Sequence, residues 1–261
     1  MNKYICNPSA RIDFNGEIVL TQDEVLRAIT LTNDAIRKLY EQTSAEQINI
    51  FEILGMRNLS GVVGEYFGRC TISAAKGKLH SNLHQDGYPD LMLINSPEKK
   101  AYLQTLYTEK NGKKYPNSKS EFSPFLYGGL EVKATCGIVP PATESRPKPI
   151  IGEQRIQNIK GFDWKAHHRG TNNLLAVLWD FIDAVPTIVA CFYRSDLTED
   201  DWGKIVQPKE GGGRTTSVSV MSKTGVKRMC EGWVAVMDDP IYTQHLAKKK
   251  WIGFDVRTLK A

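Results

Sequence analysis

YGGLEVKATCGIVPP, residues 127–141, reads as a β-strand that two glycines open and two prolines close. Residues two apart on a strand share a face. Glu131 and Lys133 therefore project together, and Val132 between them turns into the core. Upstream, PDLMLI (89–94) is a short apolar run behind a proline, as a buried strand would be. A strand carrying Asp90 beside one carrying Glu131 and Lys133 makes a compact charged cluster. Two carboxylates are hard oxygen ligands suited to Mg²⁺, which takes phosphate oxygens as further ligands. Such a metal polarises a phosphate and lowers the pKa of a bound water. A plain surface ion pair would use the same residue types at little cost.

Around this pair of strands the chain is mixed. TQDEVLRAITLTNDAIRKLYEQ (21–42) places Val25, Leu26, Ile29, Ile36 and Leu39 close to a helical period. Thr21 and Glu24 form a capping-box pattern at its start. Residues 44–56 read as a second helix. NLSGVVGEYFGRCTI (58–72) reads as a short helix capped by Ser60, with Glu65 on it. Residues 95–124 are hydrophilic and lysine-bearing, an excursion between two strands. The most apolar stretch, TNNLLAVLWDFIDAVPTIVACFYRS (171–195), predicts two strands joined near Asp183–Ala184, or a helix followed by a strand. Periodicity does not decide between them.

The order Glu65, Pro89–Asp90, Glu131-Val132-Lys133 resembles the PD-(D/E)xK nuclease superfamily, and within it the type II restriction endonucleases. The resemblance covers roughly residues 58–195. It implies an α/β fold, a mixed central β-sheet flanked by helices with a restriction-endonuclease-like core. An N-terminal helical portion would span 1–57. The catalytic domain would span 58–261, with an insertion at 95–124, and would form one compact unit with the N-terminal portion. It also implies Mg²⁺ bound by Asp90, Glu131 and the Val132 carbonyl. Lys133 would position or activate the attacking water, and Glu65 would hold a second metal or a metal-bound water. The chain departs from many relatives in one respect: Asp90 and Glu131 stand 41 residues apart.

Other residues have DNA-contacting chemistry. His167, His168, Arg169, Asn172 and Asn173 form a dense hydrogen-bonding stretch, and Arg and Asn read guanine and adenine edges. A solvated loop would use the same types. Lys209 and Arg214 flank Gly211–Gly213, and Lys113 and Lys114 lie in the insertion. The triple glycine lacks the Gly-Lys-Ser/Thr of a phosphate loop, so no nucleotide cofactor is expected. His80 and His84 lack the glutamate and third ligand of a zinc protease.

Bulk properties agree with this reading. The 261 residues are 41% hydrophobic and carry a formal net charge of +5. That is enough for a sizeable core, and compatible with nucleic acid if the basic groups share a face. Five scattered cysteines, without a CxxC pair, argue against a disulfide framework or a zinc ribbon. With no long apolar run, the chain reads as a soluble cytoplasmic protein without a membrane partner. The expected function is Mg²⁺-dependent, sequence-specific hydrolysis of double-stranded DNA by a homodimer. The alternatives are a repair or recombination endonuclease of the same fold, and a non-catalytic DNA-binding protein.

Overall fold

The computed structural model describes residues 2–208 and 217–253. Short strands β1 (Tyr4–Cys6), β2 (Ile12–Phe14) and β3 (Glu17–Leu20) lead into helices α1 (Gln22–Ala45) and α2 (Ile50–Ala74). Strands β4 (Leu79–Ser81) and β5 (Leu91–Leu93) follow, then α3 (Pro97–Thr105) and the hairpin β6 (Tyr107–Lys110) and β7 (Lys113–Pro116). Then come β8 (Gly129–Thr135), β9 (Lys165–Ala166), β10 (Leu174–Ile182), β11 (Val185–Arg194) and β12 (Ser219–Val220). The chain closes with α4 (Lys223–Glu231), β13 (Trp233–Met237) and α5 (Pro240–Lys248).

One seven-stranded sheet, ordered β1-β13-β11-β10-β8-β5-β4, organises the molecule. It is mixed: β8 and β10 run parallel, and the other neighbours are antiparallel. Leu91, Leu93, Leu130, Val132, Leu175, Val177 and Trp179 bury one face against α1 and α2. Leu174, Ala176, Leu178, Ala190 and Phe192 bury the other against α4, α5 and the segment around Phe162 and Trp164. Helices thus flank a large mixed sheet, the α/β arrangement expected. Because β10 and β11 are covered on both sides, they read as unbroken apolar runs rather than alternating ones. Asp183 and Ala184, at φ 51° and 63°, make the two-residue turn between them. The helix-then-strand alternative for this stretch is thereby excluded.

The helix starts follow side-chain chemistry. Thr21 accepts from the Glu24 amide, and Glu24 accepts from the Thr21 amide at 2.9 Å, closing the expected capping box. The reading of 44–72 as two helices, the second beginning at Ser60, is corrected. Residues 44 and 45 finish α1, Asn49 caps α2, and α2 continues past Gly55, whose φ of 67° kinks it. Ser60 lies inside α2, where its hydroxyl accepts from the Trp179 indole at 3.1 Å. The 57/58 division consequently falls within one element, not at a linker. Residues 95–124 are also more ordered than a hydrophilic excursion. They contain α3 and the β6–β7 hairpin, and they close a small core of Met92, Ile94, Leu103, Leu106, Phe122 and Phe125.

Asp180 fastens the long connection before β9 to the sheet. Its carboxylate accepts from the amides of Arg155 (2.7 Å), Ile156 (3.0 Å) and Phe181 (2.8 Å). Burial pushes this carboxyl up to about 6, against the lowering effect of those amides. The folded state therefore holds its proton at a pH where the unfolded chain has released it. This contribution to stability is complete below the unfolded pKa and is lost as pH rises through about 6. The expected decline is on the order of 3 kcal/mol. Asp180→Asn should flatten that part of the profile, measured by urea unfolding from pH 4 to 7. An unchanged slope in the variant would contradict this assignment.

Candidate active site

The antiparallel register of β5 and β8 pairs Leu91 with Leu130 and Met92 with Gly129, and so sets Asp90 beside Glu131. Leu130 and Val132 face α2, so alternation turns Glu131 and Lys133 to the opposite face. Four bonds knit the cluster. The Asp90 amide donates to Glu131 Oε2 at 3.1 Å, and the Val132 amide donates to Asp90 Oδ2 at 2.9 Å. Lys133 Nζ lies 2.6 Å from Glu131 Oε1 and 3.2 Å from Asp90 Oδ2. Side-chain exposure grades from 42% at Asp90 through 20% at Lys133 to 8% at Glu131. Asp90 thus stands at the mouth and Glu131 at the floor.

This burial sets the electrostatics. Desolvation pushes the Glu131 carboxyl above its ordinary range, and the nearby Asp90 adds to the effect while Lys133 opposes it. Burial alone would lower Lys133, but Glu131 and Asp90 outweigh it and hold the amine above the usual lysine range. Lys133 is therefore a fixed cation, a donor rather than a proton acceptor. The donor set of Asp90 and Glu131, two hard carboxylates converging on one cationic position, suits Mg²⁺. Among the described residues, no group of three or more His, Cys, Asp or Glu side chains forms a metal cluster.

The structure places the remaining candidates unevenly. Glu65 is exposed on α2, one residue beyond Gly64, which packs over Ala134. No hydrogen bond or ion pair joins it to Asp90, Glu131 or Lys133 among the described residues. The loop from His167 to Asn173 runs directly into β10 at the cluster: the Glu131 amide donates to the Asn173 carbonyl at 2.9 Å. Asn173 itself is corrected as a DNA contact. It is buried, and its amide donates to the Gly129 carbonyl at 2.6 Å, so it holds the loop to β8. Arg169 is largely engaged too, with its guanidinium on the Glu199 carbonyl at 2.7 Å and near the Glu199 and Asp200 carboxylates. His167 and Asn172 are exposed, as are Lys113 and Lys114 on β7. Lys114 rests over the Tyr107 ring. Lys209 and Arg214 lie outside the described residues.

Sequence reasoning missed Tyr88. Its hydroxyl donates to Asn172 Oδ1 at 3.1 Å, and its ring meets His168 edge-on with centroids 4.5 Å apart. Burial pushes its phenol up to about 12. The available signal was its spacing, two residues before Asp90. Asn82 was also missed. Its amide donates to the carbonyls of Pro89 and Phe122, each at 3.0 Å, and so ties the Asp90 turn to the returning insertion.

All five cysteines are free. No helix among the described residues is long and apolar enough to cross a membrane. Comparison with family models, curated proteins and solved structures found no match to this chain.

Proposed function

We propose that the chain is a Mg²⁺-dependent endonuclease acting on double-stranded DNA, of the PD-(D/E)xK type and most like the type II restriction endonucleases. The observation that carries this reading is the meeting of Asp90, Glu131 and Lys133 on adjacent antiparallel strands although Asp90 and Glu131 stand 41 positions apart in the chain. A helix before a hairpin that bears an aspartate and an ExK strand is the order the resemblance implies. Asp90 and Glu131 would hold the metal, with the Val132 carbonyl as a further ligand. Bound Mg²⁺ would supply a polarised phosphate and a water of lowered pKa.

The chain's own groups divide the remaining work. Lys133, kept cationic by its two carboxylates, orients a water by donating to its oxygen and offsets phosphate charge. The exposed His167 and Asn172, with Lys113 and Lys114, suit contacts to phosphate oxygens and base edges. A homodimer would match a palindromic site through its two-fold axis. Free cysteines suit the reducing cytoplasm.

The test is incubation of the purified chain with supercoiled plasmid, with and without Mg²⁺. Discrete fragments that appear only with Mg²⁺, and disappear in Asp90→Ala while DNA binding persists, are expected. Branch-specific cutting or nicking would favour a repair enzyme. Binding without any cleavage by the unaltered chain would overturn the catalytic reading.

A further inference from the structure

We propose that His168 is a catalytic residue of this site, donating a hydrogen bond from its imidazole to an oxygen of the phosphodiester bound at Asp90, Glu131 and Lys133. This rests on the endonuclease reading and goes beyond DNA contact in general. It gives His168 a role at the reacting phosphate.

The argument starts from the loop. Nearly every polar group around His168 is spent on holding the backbone still. Arg169 grips the Glu199 carbonyl, and the Trp202 indole donates to the Thr171 carbonyl at 2.9 Å. The Leu197 amide donates to the Asn172 carbonyl at 3.1 Å, and Asn173 is tied to Gly129 at 2.6 Å. Tyr88 clips Asn172 from the Asp90 side. His168 differs: its ring nitrogens make no hydrogen bond among the described residues. Thr171 Oγ1 and Asn173 Oδ1 are also unbonded, but both are sealed from solvent. The His168 ring is half-buried, so a ligand entering the site can reach it.

Its position points to the cluster. The Tyr88 ring against which it packs belongs to the segment that delivers Asp90. Lys133 and Asp90 both act on His168 electrostatically, as does His167. Arg169 is already engaged by Glu199 and Asp200, which leaves it poorly placed to serve a phosphate. A phosphodiester entering this site needs further donors. Burial, with help from Lys133 and His167, holds His168 below the ordinary histidine range, which favours a neutral ring presenting one N–H. Donors fixed in advance around a reacting phosphate act without reorganisation.

The experiment measures single-turnover cleavage in Mg²⁺ and DNA affinity in Ca²⁺ for the full chain, His168→Ala and His168→Asn. His168→Ala is expected to cut about 100-fold more slowly, with affinity changed no more than a few-fold. His168→Asn, which keeps an N–H donor, should recover part of the rate. An unchanged rate in His168→Ala, or a loss matched by lost affinity and not restored in His168→Asn, would overturn the proposal. If the unaltered chain does not cleave, the endonuclease reading itself fails and takes this role with it. If it cleaves and His168→Ala cleaves equally well, only the role of His168 falls.

Discussion

Lys133→Ala is expected to lower the unfolding free energy at neutral pH by about 3–5 kcal/mol, the cost of stranding one member of a buried ion pair. Glu131 retains only 8% side-chain exposure, and Lys133 Nζ is its 2.6 Å partner. Without the ammonium, Glu131 keeps the Asp90 amide as a donor but loses its counter-charge. Its carboxyl, already pushed up by burial, would then take a proton more readily. The deficit should therefore shrink as pH falls, because protonation removes the uncompensated charge. The double variant Glu131→Gln/Lys133→Met should lose less than Lys133→Ala, since no deeply buried charge remains unpaired and Asp90, 42% exposed, keeps the Val132 amide and solvent. Urea unfolding at pH 5 and pH 8 measures both comparisons. A loss below about 0.5 kcal/mol would place the pair in the class of ordinary surface salt bridges. On the proposed endonuclease reading, cleavage should be lost at either pH.

A comparable effect is expected from Gly129→Ala. Gly129 opens β8 at φ 152°, and a Cβ there would overlap the Leu91 carbonyl oxygen of the neighbouring strand. Backbone strain and forced overpacking together should cost about 4 kcal/mol. They fall on the two strands whose register brings Asp90 to Glu131. On the proposed endonuclease reading, cleavage should be lost even if the variant folds, because the Asp90–Glu131 and Val132–Asp90 bonds depend on that register. Gly112→Ala is the control. Gly112 also has a positive φ of 70°, but a Cβ there meets nothing within 4 Å. Its cost should stay near about 1 kcal/mol. Thermal unfolding of the two variants separates close approach from backbone preference, and equal losses would contradict the argument.

Local chemistry alone accounts for several elements. The Thr21–Glu24 box starts α1 because both partners lie within one turn. The alternation of Glu131, Val132 and Lys133 settles which side chains share a face, because strand period is a local property. The extent of α2 was less legible. Ser60 has the chemistry of an N-cap, yet its hydroxyl is taken by Trp179, 119 positions away. Gly55 kinks the helix without ending it. Polar loop residues were similarly ambiguous: Asn173 and Arg169 have the donors of DNA-reading side chains, but distant carbonyls occupy them.

The candidate site divides along the same line. The sequence by itself determined the chemistry of Asp90, Glu131 and Lys133 and the common face of the last two. Only the tertiary structure decided that Asp90 meets them, that Glu131 is the most buried of the three, and that Tyr88, two residues before Asp90, packs edge-on against His168. The physical reason is range: caps and alternation act within a few residues, whereas strand register, burial and the spending of hydrogen bonds depend on segments brought together from across the chain.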